Sequence, residues 1–178
     1  WGNIVLINDD GNVVQKLANV NEVGSGKSFK INSSDSCVIA GVQLNREAFK
    51  FYKIRYDGER PWGQEPIIFD RAGTRTSLHD GISDNQGGLI FVWEFYNYED
   101  DQDTIRYRGV EAARISCEGE LVWRRIIYER EWVIYETFPD IDPFLNYAGS
   151  SRFFIAWTDY DDAFQVTCLN SDGDLLWD

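Results

Sequence analysis

A chain of 178 residues that is 43% hydrophobic and 15% aromatic can bury the core of an ordinary domain, and its aromatic content separates it from disordered acidic tails. Its formal net charge of −13 runs against the clustered Lys and Arg that nucleic acid or an anionic membrane surface calls for, and no apolar run reaches bilayer-spanning length. Neither nucleic-acid binding nor membrane insertion is expected, whereas cations and basic partners stay open.

Along the chain, apolar runs are short, rich in Val, Ile, Phe, Tyr and Trp, and bounded by Gly, Asp, Asn and Ser, which predicts strands joined by turns. Ile4–Ile7 and Val13-Val14 flank the hairpin signal Asp10-Gly11. Val38–Val42 and Phe49–Tyr56 follow, and Asp57-Gly58 turns the chain into a strand expected to carry Trp62. The same order returns as Leu89–Glu94, Thr104–Ser116, the turn Glu118-Gly119 and Leu121–Trp123. It returns again as Phe153–Thr158, Ala163–Leu169, Asp172-Gly173 and Leu175–Trp177. Less regular segments near 23–31, 66–77 and 131–138 precede these groups, and each is expected to hold a further strand.

Behind that order lies one spacing, an acidic residue, then Gly, then Trp four positions after the Gly: Gly58/Trp62, Gly119/Trp123 and Gly173/Trp177. A degenerate copy pairs Gly11 with Gln15. The tryptophans lie 61 and then 54 residues apart, the pitch of a four-stranded β-propeller blade. The expected fold is therefore all-β, with about 3.5 blades at 1–17 (partial), 18–63, 64–124 and 125–178. Such a count does not close a ring, so further blades or a protein partner are expected to cover the open edges. A plain β-sandwich is the competing architecture.

Gly88-Leu-Ile-Phe-Val-Trp-Glu94 and Phe153-Phe-Ile-Ala-Trp-Thr-Asp159 resemble the "GG-x-IVAW-x-D" strand of extracellular bacterial β-propeller repeat proteins, common among the type IX-secreted proteins of Bacteroidota. Leu169-Asn-Ser-Asp-Gly-Asp-Leu-Leu-Trp177 resembles their closing "LD-x-DGN-LLW", and Ser33-Ser-Asp-Ser-Cys-Val-Ile-Ala-Gly41 their "TSDGGYIVAG" form. The resemblance spans most of the chain, with Gln15 departing from the closing Trp. It implies a secreted or cell-surface propeller and no catalytic residues. No signal peptide of the usual form is visible. With Trp at position 1 and no methionine, the chain is expected to be a processed product or part of a longer one.

Several constellations bear on chemistry. Val23-Gly-Ser-Gly-Lys-Ser28 has the end of a phosphate-binding loop, but the first required Gly is Asn21, so a polar loop is expected. His79, the only histidine, has Asp80 beside it rather than opposed to it, and reads as a loop residue. Cys37, Cys117 and Cys168 lack CxxC spacing, and their odd number leaves at least one thiol outside any intrachain bridge. Glu99, Asp100, Asp101 and Asp103 lie in an insertion between strands, with Asp159, Asp161 and Asp162 in the corresponding later loop. Closely spaced Asp can supply the oxygen ligands that Ca2+ takes, but no EF-hand spacing is present; solvated loop tips are the plainer reading, and no cofactor is expected.

Tyr96, Tyr98, Tyr147 and Tyr160 are placed in or near loops, where flat rings stack on glycans or anchor a protein. Tyr96, Tyr98 and Tyr160 are the binding-loop candidates, against packing between blades as the plainer reading. With 30 acidic residues some carboxylate pair always satisfies glycosidase spacing, so such a pair is no signal by itself; a propeller glycosidase or glycan-binding lectin is the alternative to a non-enzymatic module presenting loops to a partner. Asn32-Ser33-Ser34 is a formal N-glycosylation sequon, and Asp103-Thr104-Ile105 resembles a short O-glycosylation motif.

Overall fold

The computed structural model describes residues 2–7, 12–20, 28–70, 73–98, 105–131, 141–149, 151–159 and 163–177. Among them the chain is all-β, with no helix. A first sheet pairs β1 (Gly2–Ile7) with β2 (Val13–Val20). The second comprises β3 (Ser28–Asn32), β4 (Cys37–Gln43), β5 (Ala48–Arg55) and β6 (Ile67–Asp70). The third comprises β7 (Thr74–Ser83), β8 (Leu89–Tyr98), β9 (Ile105–Ile115) and β10 (Leu121–Glu131). The fourth comprises β11 (Phe144–Gly149), β12 (Arg152–Thr158) and β13 (Phe164–Asn170). Within every sheet, neighbours in space are neighbours in sequence, and all pairs are antiparallel.

Period-two alternation explains the packing, because successive side chains on a strand point to opposite faces. On β8, Leu89, Phe91, Trp93 and Phe95 enter a core shared with Ile39, Phe49, Phe51 and Phe69 of the second sheet. The intervening Ile90 and Val92 enter another core, shared with Leu145, Phe153, Ile155, Trp157 and Leu169 of the fourth. The third sheet is thus buried on both faces, so β8 reads as a continuous apolar run rather than an alternating one. Aromatic contacts concentrate in the first core: Phe91 stacks on Trp93 at 5.1 Å, and Phe69 meets Trp93 edge-on at 5.0 Å.

Three expectations need adjustment. Trp62 lies in the turn before β6 rather than in a strand, because the chain makes another turn, with Gly63 N donating to Arg60 O at 2.9 Å, before pairing resumes at Ile67. Sheets also run past the expected boundaries at 63 and 124: Phe51 pairs with Ile67, and Glu131 pairs back to Tyr107. Finally, the strand expected at Leu175–Trp177 is reduced to a single bridge between Leu169 and Leu175. Of the segments expected to hold further strands, 23–31 contains the start of β3, and 66–77 contains β6 and the start of β7; 132–138 lies outside the described residues.

Candidate functional site

Of the residues singled out as a binding surface, Asp100, Asp101, Asp103, Tyr160, Asp161 and Asp162 lie outside the described residues, as do Gly11 and the side chain of Tyr98, which ends β8. Tyr96 is half-buried and committed inward: its hydroxyl donates to Glu94 Oε2 at 2.5 Å, and the Arg108 guanidinium lies 4.8 Å from its ring. Asp159, just after β12, accepts from Ala163 N at 3.0 Å and from Gln165 Nε2 of β13 at 2.8 Å. Tyr147, 42% exposed, packs against Phe153 at 5.7 Å. Among the described residues no three His, Cys, Asp or Glu side chains are grouped to hold a metal, and all three cysteines are free thiols.

Tyr96 leads to a buried ionic cluster. Glu94 of β8, 2% exposed, accepts from Arg108 Nε of β9 at 2.6 Å and from Ile141 N at 3.1 Å, the latter on the segment leading into β11. Burial pushes the Glu94 carboxyl above its usual value, against the opposing pull of Arg108 and its hydrogen bonds. His79 is not a loop residue: it lies within β7 at a β-bulge between Leu78 and Asp80, its side chain only 5% exposed. A bulge re-aims a side chain, and here Nε2 lies 3.9 Å from Glu94 Oε2 while Nδ1 lies 3.3 Å from Asp142 Oδ1. Asp80 accepts from Leu145 N at 2.9 Å, so bulge and cluster together fasten β11 to β7.

A second constellation occurs twice. Trp62 Nε1 donates to Cys117 O at 2.9 Å, and Trp123 Nε1 donates to Ser171 O at 2.9 Å. Each acceptor lies two residues before the motif glycine of the following sheet, and each indole lies against that glycine: a Cβ on Gly119 would approach Trp62 to 3.2 Å, and one on Gly173 would approach Trp123 to 2.7 Å. Both glycines have positive φ, +91° and +82°, a conformation that also favours Gly. A buried cation joins each pair. Lys53 Nζ reaches Cys117 O at 3.4 Å and Gly87 O at 2.6 Å, held by Asp35 at 2.6 Å. Arg114 Nη1 reaches Ser171 O at 2.9 Å, held by Asp84 at 2.9 Å and by Gln86 Oε1 at 2.8 Å.

These clasps give the Gly–x–x–x–Trp spacing a mechanical meaning. Trp62 and Trp123 each pack on the motif Gly of the next sheet, so the motif is a donor and an acceptor offset by one copy. The cations were not singled out from the sequence, although a signal was there: Lys53 and Arg114 each stand five residues before a motif glycine, Gly58 and Gly119. At that place in the third copy stands Cys168, 1% exposed, whose thiol burial pushes up.

No family model matches the chain. Two curated tRNA dimethylallyltransferases, from Paraburkholderia phymatum and Cupriavidus taiwanensis, are each 38% identical over 61 and 65 residues. These stretches are 34% and 36% of this chain and 19% and 20% of those proteins, so the chain spans about a fifth of the length of the curated relatives it matches.

Proposed function

We propose that the sheets are blades of a β-propeller and that the chain serves as a non-catalytic, secreted or cell-surface binding or structural module. The observation that carries this reading is the doubled clasp. Consecutive antiparallel meanders, of four, four and three strands, joined by the same Trp-to-carbonyl and cation-to-carbonyl bonds are what a radial array of like units requires, and an unrelated pair of sandwich sheets has no reason to reproduce them. The resemblance of the β8 and β12 motifs to extracellular repeat proteins supports export. The acidic side chains built into the clasps and the cluster are occupied by structural partners: Glu94 by Tyr96, Arg108 and Ile141, and Asp84 by Arg114 and two backbone amides.

Function then rests on segments displayed between rigid strands: 99–104, after β8, carries Glu99, Asp100, Asp101 and Asp103, and 159–163, after β12, carries Tyr160 among Asp159, Asp161 and Asp162. A protein partner is the preferred ligand, with a lectin or propeller glycosidase as the second class. The phosphate-loop signature that ends at Lys27-Ser28 is incomplete: Asn21 stands where it needs Gly, and Ser28 opens a strand instead of a helix. The test is a glycan array run beside a panel of fluorogenic glycosides, with residues 99–103, outside β8, replaced by Gly/Ser as control. No turnover and no glycan signal are expected. Turnover, or glycan binding that the loop replacement abolishes, would overturn the protein-partner reading.

A further inference from the structure

We infer that His79 is a proton-operated latch: its imidazolium ties the 141–145 segment, and with it the fourth sheet, to the third sheet, and loss of the proton loosens that junction. The bulge in β7 brings this ring, the only imidazole of the chain, to the boundary between the two sheets. Nε2 lies 3.9 Å from Glu94 Oε2 and Nδ1 lies 3.3 Å from Asp142 Oδ1, so each ring nitrogen faces a carboxylate oxygen. Neutral imidazole carries a proton on one nitrogen and sets the lone pair of the other against a carboxylate, whereas the imidazolium presents an N–H to both.

Among the described residues, the titratable and charged groups on this side come from every neighbouring element. Arg108 of β9 engages Glu94 Oε1 at 2.6 and 2.5 Å, which leaves Oε2 to the Tyr96 hydroxyl of β8 and to His79. Asp80, next to His79 on β7, is taken up by the amides of Gly81 and Leu145 at 2.8 and 2.9 Å. Tyr128 of β10 shares the cross-strand row of Glu94, and Arg75 and Arg130 share that of Tyr96 and Arg108, one row further from His79. Asp142 is 72% exposed and stays ionised with little desolvation of its own, so its attraction offsets the burial of the ring. Its position gives leverage, because it stands between the two hydrogen bonds that dock the segment, Ile141 N to Glu94 Oε1 and Leu145 N to Asp80 Oδ2. A histidine that gains carboxylate partners on folding contributes stability that is full below its free value of about 6.5 and lost as pH rises further. The latch is therefore closed in mildly acidic solution and open in alkaline solution.

Hydrogen–deuterium exchange of the 178-residue chain tests this, read as protection so that the intrinsic effect of pH on exchange is removed. Protection across the 141–145 segment is expected to fall about fivefold between about pH 5.5 and 8, as one partly exposed ion pair is lost, while that of β4 and β5 holds. The imidazole signals of the only histidine, followed by carbon–proton NMR, should titrate with the same midpoint. Asp142→Asn alters an exposed side chain and leaves folding intact; it should hold protection at the unsubstituted chain's alkaline level at every pH, and His79→Gln should do the same. Protection that is constant or rises with pH overturns the proposal. So does a fall that survives either substitution, which would assign the step to Glu94, or a fall whose midpoint differs from that of the imidazole. The latch concerns the junction of two sheets alone, so its failure leaves the binding role to be judged by the glycan test.

Discussion

Replacing Arg114 by Met is the sharpest probe of the clasp between the third and fourth sheets. The guanidinium is 10% exposed and its partner Asp84 only 1%. Met retains most of the volume, so the substitution removes charge and hydrogen bonds with little packing change. Asp84 Oδ1 keeps the amides of Gln86 and Gly88 at 2.8 and 2.7 Å, but Oδ2 loses its Arg114 partner at 2.9 Å. Stranding one member of a buried pair costs about 3–5 kcal/mol, and the two retained amides place this case near 3. The lost bond to Ser171 O adds about 1 kcal/mol. Urea unfolding followed by tryptophan fluorescence should show that loss, about 4 kcal/mol in all, with an unchanged slope, and the melting temperature should fall by about 8–16 °C. Asp84→Asn combined with Arg114→Met should cost less than the sum of the single substitutions, by about 1–3 kcal/mol, since no stranded charge remains. A single-variant loss below about 1 kcal/mol, or strict additivity, would show that the pair does not hold the sheets together.

Gly173→Ala and Gly149→Ala form a matched comparison, with φ of +82° and +79°: the first places a Cβ 2.7 Å from the Trp123 ring, the second meets nothing within 4 Å. Gly149→Ala should cost about 1 kcal/mol of backbone strain and Gly173→Ala about 2–4, and equal costs in thermal melts would dismiss the indole-on-glycine contact. Two carboxylates should tilt the pH dependence in opposite senses. Glu94 has a folded-state value raised above 4.5 by burial, so its contribution to stability falls as pH rises from there through the raised value; Glu94→Gln should remove that decline. For Asp35, burial pushes upward but is outweighed by the hydrogen bonds from Lys53 and Ser33, leaving it below 3.8; its contribution is full above 3.8 and lost as pH falls through the lowered value. Asp35→Asn should flatten that acid limb in urea titrations, and a pH profile unmoved by either substitution would refute the assignments. Millimolar calcium is expected to leave the melting temperature unchanged, and a rise of several degrees would assign the acidic loops to a cation.

Much of the strand pattern was legible because it depends on local alternation and turn chemistry. Val38–Val42, Phe49–Tyr56 and Phe153–Thr158 differ from β4, β5 and β12 by at most one residue at either end. β7 was harder to read: Thr74-Arg-Thr-Ser-Leu-His-Asp-Gly81 alternates polar side chains with few apolar ones, and its strand state comes from pairing with β8 across a bulge. For the same reason His79 read as a loop residue. Glu94 and Arg108, 14 residues apart, become a pair only when β8 and β9 align, and Ile141 joins them only when the sheets stack.

Sequence alone determined that the chain is all-β, where β4, β5, β9, β12 and β13 begin and end to within a residue, and that Gly58, Gly119 and Gly173 occupy equivalent turns, because side-chain alternation and positive-φ glycine are properties of a few consecutive residues. Only the tertiary structure decided which glycine each tryptophan serves. Trp62 meets Gly119, and Trp123 meets Gly173, each across a sheet boundary. An indole N–H bonds whichever carbonyl packing brings within reach, and spacing along the chain carries no record of which sheet that carbonyl will belong to.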